Sequence, residues 1–356
     1  MELERRYAFY HFKKNLVRLI IMVLYCCIIA AVSTHTQNDL PQGTIRHFFD
    51  LNVLGINLII VGGLSAILEF SEFKNRRNLD SWFSFPLDRW KIALVHYLNG
   101  AVHLFLAHTL SFIVAYVKIA PYKTECHLDM SVMPVFYFSV LFLGLMFYGF
   151  CMFPFILANN IFDGVVFAVF YNIVPMMLQG WIGSLLIFTD LRWISDFFAS
   201  PCQLLMEEAG RCTGNLTLKM YREIYEENGM TSDLTKISLT SEEIARYIII
   251  SVICIALTVL AIKVFASKKT EDIGGISASL PGYRLLIPVM MIGRALKAVG
   301  SIPGGITYAI VTFVAYVIFR RGVKLKIPDI IVVVVVLILG LIPVDILLEL
   351  SKLMKG

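Results

Sequence analysis

Charge is what this sequence has least of. Asp, Glu, Lys and Arg make up 16% of its 356 residues, while hydrophobic residues make up 58%. Soluble domains carry about 25% charged and 45–50% apolar residues, so the composition excludes the soluble globular class. The net charge of +5 is too small and too dispersed to argue for nucleic acid as a partner. Cysteine is sparse too. The seven residues form no Cys-x-x-Cys pair, which removes the commonest zinc and redox motifs. Cys26, Cys27, Cys151 and Cys254 fall inside apolar runs, where a thiol behaves as a small hydrophobe. There is no Gly-x-x-x-x-Gly-Lys-Ser/Thr to wrap a nucleotide phosphate, no His-Glu-x-x-His helix and no Gly-x-Ser-x-Gly turn. The chain is therefore read as not catalytic by itself and as binding no cofactor directly.

What is present is a series of apolar runs: Leu19–Val32 (extending back to Leu16), Leu51–Phe70, Ile92–Val117, Met133–Ala158, Val165–Thr189, Ile244–Phe265, Pro281–Val299, Ile302–Phe319 and Ile327–Leu348. Most approach the ~20 residues that a helix needs to cross a bilayer. They predict an all-α polytopic membrane protein with about eight to nine transmembrane helices. The seventh run is weakened by Arg284, Arg294 and Lys297. Gly55, Gly62 and Gly63 in the second run predict close helix approach. Pro175 and Gly180 predict a kink or break in the fifth. The organisation expected is an interfacial helix over 1–18, a six-span core over 19–265 and a C-terminal membrane region over 266–356 with two to three further spans.

Lys and Arg collect in alternate connections, and that bias sets orientation. Met1–Arg18, the 71–92 loop, Asn159–Gly164, Ala266–Leu280 and Arg320–Lys326 are assigned to the cytoplasm, and four of these five are visibly basic. The long polar segment Asp190–Glu243 is assigned to the outside, with a helix-like part over Leu218–Asn228. The 71–92 loop holds more than a connection requires. It mixes Lys74, Arg76, Arg77, Arg89 and Lys91 with Trp82, Phe83 and Phe85 around Pro86. That pattern suits a short amphipathic helix on the membrane surface followed by a break. It reads as a handle that a soluble, ATP-driven partner can grip.

Few polar side chains interrupt the spans. His96, Asn99 and His103 stand at i, i+3 and i+7, on one face of the third span. The bland reading is helix–helix hydrogen bonding or a water-lined face, and the functional one is a substrate path. Asp163, at the inner end of the fifth span, reads as a helix cap or a contact with the partner. Cys202 and Cys212 share the outside segment and are a candidate disulfide. Glu207, Glu208 and Arg211 are one residue short of the Glu-Glu-x-x-x-Arg spacing of intramembrane CAAX-type proteases.

The segment Leu79–Gly100 resembles ABC transporter permeases of the type-2 exporter class. In those, a motif like Asp-x-Leu-x-Ser-Leu-Pro-hydrophobic-x-Arg follows the second span. Here it stands as Asp80, Ser84, Phe85, Pro86, Leu87 and Arg89, with Phe85 where Leu is usual. Phe198–Leu205 is similar to the Leu-Ser-Pro segment of a Gram-positive subfamily. Ile262–Gly275 is similar to a basic stretch of the same subfamily through Lys268, Lys269, Glu271 and Gly274. The resemblance runs in order over most of Met1–Gly275, and the large C-terminal outside domain of some relatives is missing. It implies a bacterial cell-membrane permease in which two subunits, identical or homologous, pair and are driven by two copies of a separate ATP-binding subunit that carries the ATP and Mg. It implies coupling through Leu79, Asp80, Trp82, Phe85, Pro86 and Arg89, with a shorter contact at Asn159, Asn160, Phe162 and Asp163. Export is the habit of that class. The alternatives are an ion-gradient-driven secondary transporter and a membrane-embedded enzyme or scaffold.

Overall fold

Helix–helix packing organises the chain seen in the computed structural model, which describes residues 2–33, 36–39, 45–48, 50–75, 86–185, 192–227, 235–269, 271, 273–275, 277, 279–297, 301–320 and 322–341. The helices, in order, are α1 (Glu2–Lys14), α2 (Leu16–Ser33), α3 (Asn52–Ser71), α4 (Arg89–Ile119), α5 (Val132–Leu157), α6 (Ile161–Leu185), α7 (Pro201–Glu227), α8 (Ser241–Ser267), α9 (Leu285–Lys297), α10 (Ile302–Arg320) and α11 (Ile327–Leu341). A small antiparallel pair, β1 (Thr36–Asp39) with β2 (Ile45–Phe48), joins α2 to α3, with Thr36 opposite Phe48. Among the described residues six helices are long and apolar enough to cross a membrane: α3, α4, α5, α6, α8 and α10; α1 with α2 makes a seventh if that pair, bent by 53°, counts as one span. The chain is an all-α polytopic membrane protein.

Packing divides the chain into two units, Met1–Ile156 with Ser200–Lys268, and Leu157–Ala199 with Lys269–Gly356. The division groups the fifth apolar run with the C-terminal helices, a different line from the one drawn at residue 265 on the sequence.

In the first unit α5 is the most buried span, with 72% of its apolar window inside. Gly62 brings α3 against it, since a Cβ there would meet Phe147 at 3.0 Å and Leu104 at 3.4 Å. Gly55 serves α7 the same way, with Leu205 at 3.0 Å. Gly63 faces open space, so only two of the three glycines mark a close approach. The bend between α1 and α2 falls at Asn15, whose backbone N–H bonds to both His11 O and Phe12 O at 3.1 Å. An Asn that can bond its own neighbourhood suits such a break.

The segment expected as a long outside loop is mostly helix. Ser200 caps α7 by accepting from Gln203 N at 3.1 Å, and Pro201 occupies the first helical position, as proline prefers. Leu204, Leu205, Ala209, Cys212 and Leu216 form its buried stripe. α8 begins with a reciprocal capping box between Thr240 and Glu243.

The first unit has two distinct ends. At one, Lys74 Nζ and Lys268 Nζ donate to Ile156 O at 3.1 and 2.8 Å, and Arg89 Nη1 donates to Lys268 O at 2.9 Å. At the other, Lys118 Nζ donates to Ala31 O at 2.8 Å, Leu51 N to Thr213 Oγ1 at 3.0 Å and Asp129 N to Leu216 O at 3.0 Å.

In the second unit α6 continues through Pro175, so of the kink or break expected there no break occurs. The seventh apolar run holds a π-type turn (Leu280–Arg284) and the 13-residue α9, with Pro288 inside. That is short of the ~20 residues that cross a bilayer. α10 and α11 touch backbone to backbone at Gly305 and Gly340, where a Cβ on Gly305 would lie 2.7 Å from the facing Cα. Arg320 grips Asp329 with two hydrogen bonds, of 2.9 and 3.0 Å.

Candidate functional site

A lone carboxylate in the last turn of α3 gathers the most polar site inside the first unit. Glu69 is 2% exposed. Its Oε2 accepts from His11 Nε2 at 2.7 Å and lies 3.5 Å from His96 Nδ1. Its Oε1 accepts from Asn99 Nδ2 at 2.8 Å and lies 3.6 Å from His103 Nδ1. Three elements supply these groups. α4 presents His96, Asn99 and His103 at helical spacing on one face. α1 presents Tyr7 and His11, one turn apart, and its bend adds Asn15, whose Nδ2 lies 2.9 Å from His11 Nε2.

The hydrogen bonds assign one proton. His96 Nδ1 lies 2.9 Å from Glu69 O, and a carbonyl only accepts, so Nδ1 carries the hydrogen. The neutral ring then accepts at Nε2 from Tyr7 OH, 3.0 Å away. The rings of His11 and His96 lie with centroids 3.8 Å apart, and Phe73 packs edge-on to His96 at 4.7 Å. A buried carboxylate loses its hydration and needs partners to offset that cost. Glu69 has them on both oxygens. Three buried polar atoms around it have no hydrogen-bond partner: His103 Nε2, Asn99 Oδ1 and Asn15 Oδ1.

The structure brings His96, Asn99 and His103 together around one carboxylate. Glu69 and His11 are the members that the pattern does not single out. The signal was a single carboxylate in an otherwise apolar span, which calls for a partner inside the protein.

Ionic contacts surround this cluster at the same end of the unit. Lys14 Nζ pairs with Glu72 at 2.9 Å and Arg18 with Glu72 at 3.4 Å, while Lys91 Nζ pairs with Glu4 at 2.9 Å. Glu72 precedes the 76–85 stretch and Lys91 follows it, so α1 is tied to both of its flanks. Leu79, Asp80, Trp82 and Phe85 lie outside the described residues. Pro86 is exposed, and Arg89 is partly buried with its guanidinium on Lys268 O.

The second group of expected contacts lies in the other unit. Asn160 caps α6, with Asp163 N donating to its Oδ1 at 2.8 Å. Asp163 is buried and accepts from Ser277 Oγ at 2.6 Å, Tyr283 OH at 2.9 Å and Asn160 Nδ2 at 2.8 Å. Asn159 O accepts from Gly274 N at 2.7 Å, and Gly274 sits at a φ of 80°, where glycine is favoured. These residues hold the 273–283 segment onto the start of α6, and Phe162 stands 69% exposed beside them.

Two further expectations resolve on α7. Cys202 and Cys212 are free thiols. Ten residues apart on one helix, their Cα atoms are ~15 Å apart, beyond disulfide reach. Burial raises the Cys202 thiol above its usual range and pushes Cys212 up to about 12, with the Glu208 charge adding to the latter. Glu208 is held by Arg211, and Glu207 by Arg246 at 2.7 Å, so these carboxylates tie α7 to itself and to α8.

Comparison of the chain with protein-family models, with curated proteins and with solved structures yields no match.

Proposed function

We propose that the chain is the membrane-spanning permease subunit of an ATP-driven exporter. It lies in the cell membrane with a cytoplasmic N-terminus and works with two copies of a separate ATP-binding subunit and a second permease, identical or homologous. One observation carries the reading: α1 is ion-paired to both flanks of the charged, aromatic 76–85 stretch, through Glu72 and Lys91. A partner gripping that stretch moves α1, α3 and α4 together. The same end carries the 268 region and the end of α5, joined by Lys74 and Lys268 on Ile156 O. That grouping is what the basic connections require of a single cytoplasmic side. ATP hydrolysis, with its Mg, belongs to the partner, and this chain converts the motion of the handle into alternating exposure of a path between two permeases.

The test is co-purification. The tagged chain is solubilised gently from its host, and ATPase activity in the eluate is measured for the wild type, Asp80→Lys and Pro86→Ala. A co-eluting ATPase that is lost or no longer stimulated in the variants supports the reading. A chain that elutes alone, with variants that change nothing, refutes it. Gradient-driven transport is the second reading, and the buried Glu69 among histidines favours it, because such transporters need ionisable groups inside the spans. It ranks second because Glu69 lies in the last turn of α3, one turn from the ionic end of the unit.

A further inference from the structure

We propose that His11, Glu69 and His96 form a binding site for a zinc-type divalent metal ion, with His103 beside the other oxygen of the carboxylate. One ligand atom from each of the first three lies within 4.8 Å of the others, and all three residues are buried. In a tetrahedral zinc site with bonds of about 2.0–2.1 Å, ligand atoms stand roughly 3.3 Å from one another. The 3.5 Å from His96 Nδ1 to Glu69 Oε2 and the 3.6 Å from His103 Nδ1 to Glu69 Oε1 are already near that spacing. The 2.7 Å between His11 Nε2 and Glu69 Oε2 is a hydrogen bond, and it opens by roughly 0.6 Å when an ion takes the place of the proton.

The donor set has the right chemistry. Imidazole nitrogens with one carboxylate suit zinc and its neighbours in the first transition row, whereas Mg and Ca favour oxygen ligands. Outer partners are in place as well. Coordination through His96 Nδ1 gives up its hydrogen bond to Glu69 O and moves the proton of the neutral ring to Nε2, where Tyr7 Oη, 3.0 Å away, accepts it. Asn99 already holds the carboxylate at 2.8 Å. Such second-shell bonds orient ligands and raise their basicity.

An independent observation separates this from a purely structural hydrogen-bond cluster. His103 is 1% exposed and its Nδ1 faces Glu69 Oε1 from 3.6 Å, beyond hydrogen-bond distance, while its Nε2, on the far side of the ring, has no hydrogen-bond partner either. A buried polar atom left so costs about 1–3 kcal/mol, and burial of a polar ring beside a carboxylate that it does not hydrogen-bond is unrewarded without a ligand. The ion would brace α1 against α3 and α4, so the N-terminal helix would be fixed in a metal-dependent way. This proposal does not rest on the permease reading.

The test uses the full chain carrying a streptavidin-binding tag free of histidine, purified in detergent without chelator. The protein is mixed with equimolar zinc sulfate, desalted and analysed by mass spectrometry for metal. The expected content is about one zinc per chain. Glu69→Gln keeps the side-chain volume and the hydrogen bond from Asn99, yet is a poor ligand. It and His11→Asn are expected to lower zinc affinity by more than about tenfold in competition with a chromophoric chelator. Wild-type protein that retains no zinc above the buffer blank, or a monodisperse Glu69→Gln that retains as much as wild type, overturns the site. If the variants misfold, zinc-edge X-ray absorption of the wild type decides. A shell of nitrogen and oxygen near 2.0 Å with the signature of two or three imidazoles supports the proposal. A sulfur shell or one of oxygens alone overturns it.

Discussion

Replacing Glu69 with Ala, in the presence of a chelator, should release the N-terminal helix. The substitution removes the acceptor of His11 Nε2 and of Asn99 Nδ2, and it takes away the carboxylate that His96 and His103 face at 3.5 and 3.6 Å. Two buried donors then lack partners, at about 1–3 kcal/mol each. Breaking a buried charged cluster from one side costs about 3–5 kcal/mol in total. Tyr7 of α1, buried and bonded to His96, belongs to the same cluster, and the ion pairs beside it add little. Lys14–Glu72 and Lys91–Glu4 are partly solvent-exposed pairs, with Lys14 38% and Lys91 32% exposed, and such pairs contribute about 0–1 kcal/mol. The buried cluster therefore dominates. The assay is amide hydrogen exchange read over residues 2–14. In Glu69→Ala the exchange of α1 should speed up by roughly 10²–10⁴-fold, the factor that about 3–5 kcal/mol of local opening supplies. In Glu72→Ala it should speed up by less than about tenfold. If Glu69→Ala leaves exchange within about threefold of wild type, or if Glu72→Ala loosens α1 more, the reasoning is wrong.

Three other outcomes follow from the packing. Gly62→Leu should lower the melting temperature through overpacking of about 1–3 kcal/mol against Phe147 and Leu104, while Gly63→Leu, facing open space, should leave it nearly unchanged; equal effects would contradict the α3–α5 contact. Asp163→Ala removes the acceptor of Ser277, Tyr283 and Asn160, so trypsin should cut faster after Lys268 and Lys269, and an unchanged cleavage rate would show that the segment is held by other means. Cys202 and Cys212 should both alkylate in the denatured, unreduced protein, and a peptide cross-linked between them would refute the single-helix geometry. In the native protein Cys212 should resist alkylation near pH 8 and react faster as the pH rises beyond 10. The thiolate is the reactive form, and the thiol is pushed up to about 12 by burial first and then by Glu208.

The candidate site was half legible. His96, Asn99 and His103 could be placed on one face because helical spacing is local. Their partner could not, because Glu69 precedes His96 across the loop and His11 lies a further 58 residues back. No pattern along the chain encodes such a contact. Asp163 reads from the sequence as a cap or a partner contact, and in the structure it accepts from Ser277 and Tyr283, more than 110 residues later. Cys202 and Cys212 look alike in a polar stretch, and only the helical path of α7 separates them. That helix was underestimated because its stripe of Leu, Ala and Cys is spread among charges, so its average hydropathy hides a buried face.

The sequence by itself determined the class and the position of most of the spans. Bilayer crossing is a requirement on composition over ~20 consecutive residues, and a sum over neighbours in the chain is all that it needs. The tertiary structure alone decided which spans share a unit, which glycine is a contact and which carboxylate faces the histidines. Those depend on shape and partner distance between segments far apart in sequence. A buried charge is tolerated only where several helices meet around it.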